Sequence, residues 1–174
     1  MTPRALFVGR FQPIHWGHVK ALEWILEELG VSEVLVVIGS AQESHTLRNP
    51  FTAGERFEMI MRALREAGLP RDRFLVVPVQ DMQMNHVWPR YLEMMLPRFN
   101  VVVTRNPLVS RLFREYGYSV VAQPMFRREE YSATRIRALM LEGGDWQRYL
   151  PLEVASYIEE VKGVERLREI ASRD

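Results

Sequence analysis

A chain of 174 residues that is 47% hydrophobic and 26% charged has the material for one ordinary globular domain, and it is too short for two full-sized catalytic domains. With 23 Lys and Arg against 22 Asp and Glu, the formal charge is +1. That balance excludes a polycationic nucleic-acid coat and an acidic tail protein, and leaves room only for a local basic pocket. The absence of cysteine excludes disulfides, thiolate metal cages and a cysteine nucleophile. All the basic residues except Lys20 and Lys162 are Arg. Arginine suits bidentate recognition of phosphate, although genome base composition produces the same bias.

In chain order, Ala5–Val8 is a short apolar run stopped by Gly9 and reads as a buried strand. Helical spacing follows over Val19–Leu29, with Leu22, Ile25, Leu26 and Leu29 on one face and Gly30 as the stop. Val34–Ile38 is a second buried strand. Thr52 to Glu55 has the pattern of a capping box. The helix behind it puts Phe57, Ile60, Met61 and Leu64 on its apolar face and ends at Gly68. Phe74–Val79 is the third strand. Pro89 suits the first turn of a helix through Leu96, and Val101–Thr104 is the fourth strand. Pro107 opens a helix ending near Gly117, and Ser119–Ala122 is the fifth strand. Ser132 or Ala133 begins a helix stopped by Gly143-Gly144. Leu152–Ala171 reads as one helix with a kink at Gly163.

Strands alternating with helices predict an α/β fold: a doubly wound, Rossmann-like parallel sheet of five strands with helices on both faces and C-terminal helices. No repeat or composition break marks a linker. One domain over 1–174 is expected, with the helical segment of about 146–174 packed on it. The longest apolar runs are strand-sized, and the N-terminus has no signal-peptide core, so the expectation is a cytoplasmic protein without a membrane span.

Doubly wound sheets bind ligands beyond the carboxyl ends of their strands, which directs attention to the loop Gly9-Arg10-Phe11-Gln12-Pro13-Ile14-His15-Trp16-Gly17-His18. It joins a strand to a helix, where free amides and the positive dipole end favour anions. Gly17 lets a ligand approach the backbone. His15 and His18 share a face and can donate hydrogen bonds to a triphosphate. Their spacing also fits half a metal site, but no third ligand with zinc spacing is nearby, and surface histidines are a further alternative. Neither a dinucleotide fingerprint nor a Walker loop is present.

Gly9 to His18 resembles the Gly-Arg-Phe-Gln-Pro-x-His-x-Gly-His signature of the nucleotidylyltransferases. Ile14 stands where Phe is commoner. Tyr131-Ser132-Ala133-Thr134-Arg135-Ile136-Arg137 reads on its own as a plain helix cap with solvated arginines. It is similar to the same family's second motif, with Ala133 in place of Ser or Gly. The resemblance assigns His15, His18, Arg48 and Arg137 to catalysis, and Gly9, Arg10, Gly17, Ser132 and Thr134 to the phosphates of ATP.

Further motifs narrow the resemblance. They are Gly39-Ser40-Ala41-Gln42, the run Arg48 to Arg56, Gln80-Asp81 followed by Asn85 and Trp88, Asn106 to Val109, and Gly144 to Trp146. From Leu6 to about Arg168 the chain resembles the archaeal nicotinamide mononucleotide (NMN) adenylyltransferases. The implied reaction is NMN + ATP → NAD + pyrophosphate, with Trp88 stacked on the nicotinamide ring and Asp81 and Asn85 as polar contacts. By itself Trp88 fits a core or interface aromatic equally well, and Arg48 a solvated loop charge. Trp16 and Trp24 read as packing or interface residues. Met82, Met84, Met94 and Met95 read as gap-fillers.

Mg²⁺ is expected mainly through the phosphates of ATP, with no dedicated protein metal site. The resemblance further implies a homo-oligomer, such as a hexamer, and no nucleic-acid partner. The alternatives are a sibling enzyme acting on FMN, nicotinic acid mononucleotide or phosphopantetheine, and a catalytically silent nucleotide sensor.

Overall fold

A computed structural model describes residues 3–173. The elements run β1 (Arg4–Gly9), α1 (Trp16–Glu28), β2 (Glu33–Ile38), α2 (Ala53–Glu66), β3 (Phe74–Pro78), α3 (Trp88–Met95), β4 (Val101–Val103), α4 (Pro107–Glu115), β5 (Ser119–Val121), α5 (Ala133–Glu142), α6 (Leu152–Glu160) and α7 (Gly163–Ala171). The five strands form one parallel sheet in the order β3-β2-β1-β4-β5. From β1 the chain winds first to β2 and β3, then crosses to β4 and β5 on the other side. The crevice at the carboxyl ends of β1 and β4 is therefore the topological switch point.

Both faces of the sheet are covered, which is why its strands read as unbroken Val, Leu and Ile rather than as an alternating pattern. Ala5, Phe7, Val34, Val36 and Ile38 face a core built with α1, α2, α5, α6 and α7. Leu6, Leu35, Val37 and Val102 face a smaller core containing Leu92 of α3 and Phe113 of α4. Fully buried residues such as Leu22 and Ile25 contribute about 1.5–3 kcal/mol each by leaving water. No helix among the described residues is long and apolar enough to cross a membrane.

Several expectations need correction. The last helix is two, because Lys162 adopts a left-handed conformation (φ 54°) and Gly163 opens α7. A Cβ on Gly163 would lie 2.7 Å from Phe51 Cε1, so the glycine is there for close packing. Helix α1 starts at Trp16, three residues before its apolar stripe becomes visible. Phe57 is exposed, as are Met84, Met94 and Met95, so these methionines fill no gap in the described fold. Trp16 and Trp24 do pack, half-buried, against the larger core.

Candidate functional site

Two clefts open at the switch point. The first, about 390 Å³, lies between the ends of β1, β2 and β4 and α3, and is lined by Gly9, Arg10, Ser40, Asp81, Asn85 and Trp88 among others. The second, about 470 Å³, lies beside the start of α1 and the segment after β5, and includes His15, Gly17, His18, Arg105, Gln123 and Tyr131. Asn106 lines both. Its side chain caps α4 by accepting from Leu108 N and Val109 N.

The two histidines share one turn of backbone. His15 is the N-cap of α1, and its N–H donates to His18 Nδ1 at 3.2 Å. With Nδ1 accepting, the proton of a neutral His18 sits on Nε2 and makes that nitrogen a donor. The rings stack with centroids 3.8 Å apart. Burial pushes the His18 pKa down to about 4. Burial, with the nearby His18, holds His15 well below the usual imidazole range. Both rings are thus neutral in the free protein near pH 7. Among described side chains, His15 Nδ1 is buried without a hydrogen-bond partner. Gly17 has a packing reason as well as any ligand role: a Cβ there would lie 2.9 Å from the His15 ring and from Tyr131 Cβ.

The two half-signatures meet. Arg137, buried on α5, donates from Nη1 to the carbonyl of Gln12 at 2.9 Å. Its Nη2 reaches Thr134 Oγ1 at 3.5 Å. Gln12 in turn makes a reciprocal pair with the Phe51 backbone, 2.9 Å in each direction. One residue therefore ties the signature loop to the late helix and to the loop that carries Arg48. Ser132 caps α5 by accepting from Arg135 N at 3.4 Å. Ser132 and Thr134 sit at the start of α5 rather than among the lining residues of either cleft, and Arg48 is exposed on the loop before α2.

Electrostatically, the region is a group of cations in search of an anion. Burial and the charge on Arg48 lower the pKa of Arg10, with Asp81 opposing. Burial, then Arg10 and Arg48, lowers Arg137 to about 10. Arg56 is wholly buried, and burial with Arg10 lowers it to about 10 as well. None of Arg10, Arg48, Arg56 and Arg137 forms a salt bridge with a described carboxylate. A polyanion at the switch point would relieve the mutual repulsion of these guanidinium groups.

On the other side of the first cleft, Asp81 accepts from Ser40 Oγ at 3.0 Å and from Gln42 Nε2 at 2.8 Å. Its own N–H donates to Gln42 Oε1. Asn85 begins a single 3₁₀ turn that leads into α3. Trp88 lines the cleft and rests edge-on against Phe113, with centroids 5.6 Å apart, so it is both a packing residue and a wall. Arg56 and Gln12 are the residues sequence reasoning passed over. Arg56 shares the helical face of Met59, Ile60 and Ala63, an observable pattern that marks it as buried.

Among the described residues there is no group of three or more His, Asp or Glu that could hold a metal ion.

The cytidylyltransferase-like family model matches residues 6–139. A Thermococcus onnurineus protein named nicotinamide-nucleotide adenylyltransferase is 54% identical over 99% of this chain and 90% of its own length. The protein of the same name from Saccharolobus solfataricus is 47% identical over 98% of both. Among solved structures, a bifunctional NMN adenylyltransferase/ADP ribose pyrophosphatase from Francisella tularensis, complexed with AMP and a manganese ion, superposes with a TM-score of 0.76. That likeness covers 97% of this chain and 52% of the other, at 20% identity, and speaks to the fold. By the family match and the identities with its relatives, the chain belongs to the cytidylyltransferase-like family of nucleotidyltransferases.

Proposed function

We propose that this chain is a nicotinamide-nucleotide adenylyltransferase, which transfers AMP from ATP to NMN and releases pyrophosphate. The observation that carries the reading is the group Arg10, Arg48 and Arg137, without carboxylate partners and close enough to perturb one another, beside the first cleft, which Arg10 lines. The relatives' shared name supports it. Divalent metal enters as part of the Mg–ATP substrate, held by phosphate oxygens. The assembly is read as a homo-oligomer.

The donor nucleoside occupies the second cleft, and its phosphates run past His15 and His18 toward Arg10, Arg48 and Arg137. NMN occupies the first cleft. Its pyridinium ring stacks on Trp88, a cation–π contact worth about 0.5–2 kcal/mol, and Asp81 and Asn85 supply polar contacts. A phosphate oxygen of NMN attacks the α-phosphorus in line. The bond to the bridging oxygen breaks, and its electron pair leaves with pyrophosphate. The NMN phosphate is largely dianionic at neutral pH because its second pKa is about 6, so no general base is required. Catalysis then comes from alignment and from stabilising charge on the leaving group. The Nε2–H of neutral His18 donates to a phosphate oxygen, and Arg48 and Arg137 take up charge on the pyrophosphate. Thr134 and Ser132 serve the phosphates from the start of α5, and Gly9 and Gly17 keep the loop close to them.

The test is an acceptor panel. Purified protein is incubated with Mg–ATP and, separately, NMN, nicotinic acid mononucleotide, FMN and phosphopantetheine, and products are identified by mass. NAD formed with NMN in preference to the others is expected. Product with another acceptor only, or none with any, contradicts the reading.

A further inference from the structure

Arg56 lies near the start of α2, is wholly buried, and touches neither cleft. A guanidinium has five N–H donors, and five bonds to backbone carbonyls are formed here. Nε donates to Thr52 O at 3.2 Å. Nη1 donates to Arg10 O at 3.0 Å and to Gly39 O at 2.9 Å. Nη2 donates to Ser40 O at 3.0 Å and to Glu43 O at 3.2 Å. A buried cation without a carboxylate is a costly way to fill space, so its worth lies in what it holds.

What it holds is specific. Arg10 and Gly39 stand at the carboxyl ends of β1 and β2. The residues that follow them, Phe11 (φ 52°) and Ser40 (φ 48°), both lie in the left-handed region that side chains disfavour. Such conformations persist only where surrounding contacts over-determine them, and they gather at functional sites. Because the peptide unit is planar, fixing the Arg10 and Gly39 carbonyls fixes the planes leading into Phe11 and Ser40. Phe11 packs edge-on against His18 at 4.9 Å. Ser40 donates to Asp81. One side chain thus sets the turn beside the donor phosphates and the turn beside the acceptor.

Resting on the function given above, we propose that Arg56 is a positioning residue for adenylyl transfer. Its guanidinium holds the β1 and β2 turns at a fixed separation, so that the NMN phosphate and the α-phosphorus meet in line. It contacts no substrate. Losing it leaves each nucleotide able to bind but misplaces one relative to the other, and a displacement of about 1 Å costs on the order of 10²-fold in rate.

The test compares Arg56→Met and Arg56→Lys in the full chain with wild type, using Mg–ATP and whichever acceptor the wild type turns over. Circular dichroism and melting first establish that each variant folds. The expected result is a kcat reduced about 10²-fold in the Met variant, with KM for each substrate within about threefold of wild type. The Lys variant, whose ammonium keeps three donors, recovers part of that loss. If the Met variant does not fold, the Lys variant decides alone by the same split. A folded variant with wild-type kcat, even at a lower Tm, overturns the proposal, as does a raised KM with kcat unchanged. A wild type that rejects NMN but uses another acceptor corrects the substrate and leaves the Arg56 test standing. A wild type inert with every acceptor overturns both.

Discussion

The chemistry is set residue by residue at the end of β1. His18 is a donor because the His15 N–H occupies its other nitrogen. Replacing it with Ala removes the donor proposed to meet a phosphate oxygen, and a loss of about 10²–10³-fold in kcat is expected in a steady-state assay, with the fold intact by circular dichroism. Trp88→Ala is expected to raise KM for NMN about tenfold, and KM for ATP by far less, because the indole faces only the first cleft. Equal effects on both substrates remove the stacking assignment.

The histidines also set a pH dependence of stability. Their pKa values in the folded protein lie below the ordinary 6.5, His18 at about 4. From pH 6.5 downward the unfolded chain binds protons that the folded chain refuses. Stability of the ligand-free protein is therefore full above about pH 6.5 and falls progressively toward pH 4. Glu55 and Glu93, with pKa values lowered from 4.5, add their loss only at more acid pH. Thermal melts across pH 4.5–7 check this. His18→Gln is expected to flatten the slope.

At the scale of elements, the C-terminal helices serve the site from behind. Arg166 of α7 forks onto Glu55, at 2.8 and 2.7 Å, and donates to Pro50 O at 2.9 Å. It thereby braces the base of the loop bearing Arg48. Charge-assisted bonds of this kind contribute about 1.5–3 kcal/mol each at best. Arg166→Ala is expected to lower Tm by several degrees, since about 1 kcal/mol is worth 2–4 °C in a chain of this size, and to raise KM for ATP through the loosened loop. An unchanged KM beside a lowered Tm would confine Arg166 to stability.

The strands were legible as apolar runs, β1 and β2 with a glycine at their ends, and most helix ends because a glycine closes them or a proline opens them. The break at Lys162 was not, since nothing in a lysine announces φ 54°. Arg56 was missed for a related reason. A charged residue on an amphipathic helix reads as solvated unless its position on the apolar face is weighed against its charge.

For the whole molecule, the sequence pattern specified alternation but not the order β3-β2-β1-β4-β5, which is a matter of long-range pairing. That order creates the crevice, and the Arg137 bond to Gln12 closes it across 125 residues. The residues assigned to phosphate by the two half-signatures could be listed from sequence. The framework that brings their backbones together, through Gln12, Phe51 and Arg56, depends on carbonyls that no side-chain pattern displays. The reaction proposed for this framework is a direct displacement between two bound nucleotides.

The direction of attack, by the NMN phosphate on the α-phosphorus of ATP, has an isotopic signature. NMN carrying ¹⁸O in its phosphate is incubated with the protein and unlabelled Mg–ATP, and both products are weighed by mass spectrometry. Direct attack predicts that every labelled oxygen is retained in NAD, one of them as the new bridge, and that pyrophosphate is unlabelled. Label in pyrophosphate, or the absence of NAD, would contradict the account.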